Sequence, residues 1–217
     1  MIKNVIFDLD GTLLDTSEGI LLSVEHTVKE LGFKELTLEQ KLSFIGPPVQ
    51  NSLKRLYGLS DRDAQKGAEI FREYYKEEAL LMAEPYDGIF TLCETLKNNG
   101  VRMAVATYKR EDYALKLLCA KGFDRYCDPM HGADNNNILK KEDIIIMCVD
   151  EMGVQKEECV LIGDTDNDAK GAMQAGIPFI GVTYGFGFRS RDDLKEYPYI
   201  GVSDTPMGVV DLVLMRD

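Results

Sequence analysis

Histidine is almost missing from this chain: His26 and His131 are the only two in 217 residues. Histidine-based catalytic triads and histidine-rich metal sites therefore have little material to draw on. Paired cysteines are missing as well, since Cys93, Cys119, Cys127, Cys148 and Cys159 are odd in number and none belongs to a C-x-x-C pair. They read as reduced fillers of the core. Long apolar runs are absent: stretches such as "IIIMCV" at 144–149 are far too short to cross a bilayer. The N-terminus enters a strand pattern with no signal-peptide signature, so a cytoplasmic location is expected. Positive charge is in deficit, with 25 basic against 37 acidic residues and a formal charge of -12. That balance disfavours nucleic-acid polymers and acidic membrane surfaces as partners. It leaves room for a small anion recruited by a local cation.

What is present fits a folded protein, with 45% hydrophobic and 29% charged residues. The length allows one large domain or a domain with a smaller companion. Ile20, Leu21, Val24, Val28 and Leu31 recur at helical spacing, with Thr16 or Ser17 to start the helix and Gly32 to end it. His26 falls within this pattern as a surface or half-buried residue. Further helices are predicted near 38–45, 49–57 and 61–80, broken by "GPP" at 46–48, and no strand is evident between about 16 and 82. Beyond Pro85, helices alternate with strands at 101–107, 158–164 and 177–183 and an extended piece near 126–131. This alternation argues for a Rossmann-like α/β core with a parallel sheet covered on both faces. The expected organisation is an α/β core over 1–15 and 83–217 with an all-helical insert over 16–82.

In a parallel sheet of this kind, ligands bind beyond the carboxyl ends of the strands. The first strand runs into "VIFDLDGTLLD" at 5–15, where Asp8 and Asp10 share one face if the strand extends through them, or begin a polar turn if it stops near Phe7. The second predicted strand ends at Thr107, and the one ending at 163 delivers "GDTDNDAKGA" with Asp164, Asp166 and Asp168. Lys140 and Lys141 open the intervening helix. Carboxylates converging from separate strand ends call for a hard cation, with Mg2+ the usual solution. A calcium loop starting at Asp164 fails on spacing, because Ala169 and Ala175 stand where Gly and Glu are required. "YGFGFRS" at 184–190 lacks the third glycine of a dinucleotide fingerprint and reads as a flexible loop near the site.

"FDLDGTLLD", Thr107, a helix-opening lysine at 141 and "IGDTDNDAKGA", in this order, resemble the four motifs of the haloacid dehalogenase superfamily of aspartyl phosphotransferases. The resemblance covers essentially the whole chain, and the helical insert looks like that family's small cap domain. It implies Asp8 as the nucleophile and Asp10 as the acid and base, with Thr107 and Lys141 engaging the phosphoryl oxygens. Mg2+ would be held by the Asp8 carboxylate, the Asp10 carbonyl and Asp164, with Asp168 in support. Gly11 and Thr12 fall within the first motif and are implied at the phosphate. Tyr108 departs from the Asn or Ser common in relatives, which puts a side-chain contact there in question. Lys140 reads as a solvated neighbour of Lys141, and Asp15 and Asp166 as a helix-start and a turn residue.

Within that family, Asp10 argues against carbon–halogen cleavage and Thr12 against sugar-phosphate mutases. "FIGPPVQNSL" at 44–53, with Gly46, Pro47 and Pro48, resembles the cap specificity loop of the phosphoglycolate phosphatase-like and 5'-nucleotidase-like branch, although Gly-Pro-Pro also makes a plain helix-breaking turn. The implied function is Mg2+-dependent hydrolysis of a small phosphorylated metabolite by a monomer or homodimer. The alternatives are a phosphomutase or phosphotransferase of the β-phosphoglucomutase type and, in another class, a non-catalytic regulatory relative.

Overall fold

The computed structural model describes residues 2–134 and 138–215. The chain forms two compact units, one of Met1–Asp15 with Glu84–Asp217 and one of Thr16–Ala83.

The first unit is α/β. It contains β1 (Asn4–Phe7), β2 (Leu14–Asp15), β3 (Glu84–Pro85), α5 (Ile89–Asn98), β4 (Arg102–Arg110), α6 (Glu111–Lys121) and β5 (Cys127–Ala133), then α7 (Lys141–Met152), β6 (Cys159–Gly163), α8 (Asp166–Ala175), β7 (Phe179–Val182), β8 (Gly201–Ser203) and α9 (Pro206–Leu214). Six strands make one sheet in the order β5-β4-β1-β6-β7-β8, with every pairing parallel. The central strand β1 reads as an unbroken apolar run because both its faces are covered: Val5, Ile6 and Phe7 are fully buried. Each such side chain contributes about 1.5–3 kcal/mol of burial. On one face Ile144, Ile145, Cys148 and Val149 of α7 and Ala169, Ala172 and Ala175 of α8 pack with Ile6, Leu161 and Phe179. β2 and β3 form a separate two-residue antiparallel pair, so Asp15 lies in a strand and does not open the first helix.

The second unit is all-helical: α1 (Ser17–Glu30), α2 (Leu38–Leu42), α3 (Val49–Tyr57) and α4 (Asp61–Tyr74). The helix expected to run from 61 to 80 changes character at Tyr75–Ala79, a π turn. There the Ala79 carbonyl lies against Gly19 of α1, 2.4 Å from where a Cβ would stand, so only glycine admits the contact. His26 stacks on Tyr74 with ring centroids 4.2 Å apart.

No helix among the described residues is long and apolar enough to cross a membrane. Cys93, Cys127, Cys148 and Cys159 are buried free thiols, and Cys119 is exposed.

Candidate active site

Sheet order places three strand ends side by side. β1 lies between β4 and β6, and Phe7 is in register with Val105 on one side and Ile162 on the other. Asp8 follows Phe7 directly, while Thr107 and Asp164 each lie two residues beyond their partners. β1 itself ends at Phe7, yet the chain stays inside: the Asp8 amide donates to the Ile162 carbonyl at 2.9 Å, and Asp8 is 7% exposed. The two readings of the opening motif thus each hold in part. The strand stops, but its first aspartate remains buried.

Lys141 occupies the first position of α7 and is also buried, whereas Lys140 beside it is exposed. Its ammonium donates to Asp8 Oδ1 at 2.6 Å and pairs with Asp168 Oδ1 at 2.7 Å. Room for it comes from Gly171 on α8, where a Cβ would fall 2.5 Å from Lys141 Cγ. Asp168 is fixed in turn by a capping box, its Oδ2 accepting from the Thr165 amide at 3.0 Å and the Thr165 hydroxyl at 2.7 Å. Asp166 pairs with Lys170 one turn on, at 2.6 Å and half exposed, away from this cluster.

Asp164 is held differently. Its Oδ2 accepts from the backbone amides of Phe186 at 2.7 Å and Gly187 at 3.0 Å, and the buried Thr12 hydroxyl reaches its Oδ1 at 3.5 Å. Gly11, at φ +81°, passes so close that a Cβ would meet Asp164 Oδ2 at 2.3 Å. The loop 184–188 is thereby bound and not flexible as the sequence suggested: Phe188 N donates to the Asp164 carbonyl at 2.7 Å, and Tyr184 Oη to the Thr12 carbonyl at 3.1 Å. Its G-x-G exists for close approach, since a Cβ on Gly185 would strike the Gly11 carbonyl at 2.2 Å.

Oxygens of Asp8, Asp164 and Asp168 lie within 4.8 Å of one another, all three residues being buried. One ammonium answers these three carboxylates, and among the described residues no cation pairs with Asp164. Burial pushes the Asp8 carboxyl up to about 7: the pull of Lys141 is outweighed once Asp168 and Asp10 add their repulsion. Asp164 is pushed up to about 8 by burial and by Asp168 and Asp8, against the opposing pull of the Gly187 and Phe186 amides. Burial draws Lys141 the other way, but Asp168 and Asp8 hold its ammonium above the usual range. An all-oxygen donor set with an excess of buried negative charge suits a hard divalent cation.

Thr107 is buried and its Oγ1 accepts the Lys109 amide at 3.1 Å, while Tyr108 is 44% exposed. Asp10 lies apart from the three-carboxylate cluster, with its carboxylate on the ammonium of Lys109 at 2.9 and 3.1 Å. Gly46, Pro47 and Pro48 belong to the helical unit, exposed just ahead of α3. Two contributors escaped the sequence reading: Lys109 and the amides of Phe186 and Gly187. The first was visible as the residue two beyond Thr107 on the same strand face; backbone amides carry no sequence signal.

A parallel sheet whose central strand end carries a buried carboxylate against lysine and two further aspartates defines a class. The profile of the haloacid dehalogenase-like hydrolases matches residues 5–182. The chain is 35% identical over 195 residues to a 5'-nucleotidase of Pseudomonas aeruginosa, covering 89% of this chain and 87% of that one. It is 32% identical over 173 residues to a phosphoglycolate phosphatase of Aquifex aeolicus, covering 79% and 80%. The crystal structure of a predicted phosphatase from Clostridium acetobutylicum superposes with a TM-score of 0.89 at 30% identity, each chain covered in full. The chain belongs to the haloacid dehalogenase-like hydrolases, and its relatives and fold put it among their phosphatases.

Proposed function

We propose that the protein hydrolyses a small phosphate monoester, of the phosphoglycolate or nucleoside 5'-monophosphate kind, through a phosphoryl group carried transiently on Asp8. The observation that carries this reading is the Asp8–Lys141 contact of 2.6 Å inside a buried set of oxygen donors. The Asp8 carboxylate attacks phosphorus and the bond to the leaving oxygen breaks. Asp10 gives that oxygen its proton, releasing the alcohol. Water then attacks phosphorus, Asp10 takes a proton from it, and phosphate leaves with Asp8 restored. Lys141 keeps the Asp8 carboxylate in place and offsets phosphoryl charge, and the Thr107 hydroxyl donates to a phosphoryl oxygen. Asp8, Asp164 and Asp168, with the Asp10 carbonyl, are the groups that would hold Mg2+, whose charge neutralises the phosphate when bound. The preference for small substrates rests on the relatives named phosphoglycolate phosphatase and 5'-nucleotidase.

The test is phosphate release in Mg2+ across phosphoglycolate, nucleoside 5'-monophosphates, sugar phosphates and polyol phosphates, with Asp8→Asn as control. The variant should keep the wild-type circular dichroism and lose at least about a thousandfold in turnover, the scale of losing a nucleophile. Turnover by Asp8→Asn at the wild-type rate would overturn the reading.

A further inference from the structure

We propose that Lys109 is a positioning residue for ester cleavage, orienting Asp10 through its ammonium and Thr107 through its backbone amide. The inference rests on the reading of Asp10 as general acid given above. β4 alternates as it leaves the sheet: Thr107 turns inward at 1% exposure, Tyr108 outward, and Lys109 inward again. The Lys109 side chain is 8% exposed while that of Asp10 is 22%, so the cation lies deeper than its partner. Holding a lysine there costs hydration that a surface ion pair would largely keep.

Geometry gives the lysine its task. One ammonium 2.9 and 3.1 Å from the two Asp10 oxygens fixes the plane of the carboxylate and limits its rotation. A general acid acts only from within hydrogen-bond reach of the atom it protonates, so a fixed plane matters to the rate. On the other side, the Lys109 amide occupies a lone pair of Thr107 Oγ1 at 3.1 Å, which leaves the hydroxyl hydrogen to donate elsewhere. Lys141 serves the Asp8 and Asp168 carboxylates, and Lys109 serves Asp10. The two lysines divide the site between the attacking group and the proton donor.

Positioning of an acid has a signature that plain structural support lacks, because it depends on the leaving group. An alkoxide needs its proton, whereas p-nitrophenolate departs without one. Values of kcat/KM, which report formation of the phosphorylated Asp8, are to be compared for glycerol phosphate and p-nitrophenyl phosphate in wild type, Lys109→Met, Lys109→Gln, Lys109→Arg and Asp10→Asn. Lys109→Met and Lys109→Gln should lose about 100-fold on the alkyl ester, the scale of general acid catalysis, and less than about fivefold on the aryl ester. Lys109→Arg should recover much of the alkyl activity, and Lys109→Met should add little on an Asp10→Asn background. Equal losses on both esters, or none, in whichever of the two neutral variants folds would overturn the role of Lys109. A loss in Asp10→Asn that is the same for both esters would instead remove the acid assigned to Asp10, leaving the Asp8 chemistry to stand or fall on Asp8→Asn.

Discussion

The two units differ in the polar groups they bury: among the described residues, only the α/β unit buries charged ones. In the helical unit two buried hydroxyls return to the helix that carries them: Ser23 donates to the Gly19 carbonyl and Thr27 to the Ser23 carbonyl, each at 2.7 Å. The α/β unit buries titratable groups as well, and there Lys141 answers Asp8 across more than a hundred residues. A hydroxyl bonded one turn back is satisfied by the helix that carries it. A buried carboxylate is satisfied only by a completed tertiary structure. The first arrangement serves stability, and the second trades stability for a reactive centre.

The sharpest way to break that contrast is to remove one group from each unit. Lys141→Met leaves Asp8 and Asp168 buried without their ammonium and should cost about 3–5 kcal/mol at pH 8, together with nearly all turnover. Thr27→Val removes a locally bonded hydroxyl and should cost no more than about 1 kcal/mol. Urea denaturation of both proteins compares them directly, and equal losses would erase the distinction.

A second, smaller effect lies in pH. Asp8 and Asp164 titrate near 7 and 8 in the folded chain, against an ordinary carboxylate value of 3.8. Between about pH 4 and 8 the folded state therefore holds more protons than the unfolded one, so stability falls as pH rises, by up to about 1.4 kcal/mol per pH unit for each extra proton. In chelator, the urea midpoint should drop from pH 5 to pH 8. Mg2+ should raise it far more at pH 8 than at pH 5, since only deprotonated carboxylates hold the ion. A Mg2+ effect of the same size at both values would contradict the charge excess assigned to this cluster.

The finest test uses one substitution twice. Gly67 and Gly171 both lie inside helices, where an added Cβ would come 2.6 Å from Leu53 Cδ1 and 2.5 Å from Lys141 Cγ. Gly67→Ala meets the free end of a leucine and gains helix propensity, so stability should stay within about 1 kcal/mol and activity unchanged. Gly171→Ala pushes on the stem of Lys141 and should lower kcat at least about tenfold, by moving the ammonium from its two carboxylates. Matching kcat values for the two variants would show that Lys141 tolerates displacement.

Much of this was legible in the chain. β1, β4, β6 and β7 announce themselves as short apolar runs between helical patterns, and the aspartates that follow β1 and β6 stand out because a buried strand has no other use for them. Of the two lysines that open α7, burial separates Lys141, which lies on Asp8, from the exposed Lys140. β8 and α9 were not read, because Gly201–Ser203 is too short to show a period and the apolar run that follows lacks a polar face. The break of α4 into a π turn leaves no mark in composition. Asp10 and Lys109 meet only through the fold, since 99 residues separate them. The loop at 184–188 was read for glycine flexibility, whereas its glycines are there to let backbone approach Asp164.

The strand order also dictates when in its own manufacture the protein can become an enzyme. β1 leaves the ribosome well before its partners, for Asn4 stands opposite Arg102 on one side and Cys159 on the other. Until those later segments emerge, the strand that carries Asp8 has neither neighbour, and such distant pairings are slow to form. Asp164 and Asp168 follow Cys159 by only a few residues, and the Phe186 and Gly187 amides that hold Asp164 come later still. On the proposed mechanism a chain released short of Cys159 would be inert towards phosphate esters, and it would leave one edge of β1 unpaired, a hazard for aggregation. On the proposed mechanism, activity awaits synthesis through Gly187, whose amide helps to hold Asp164.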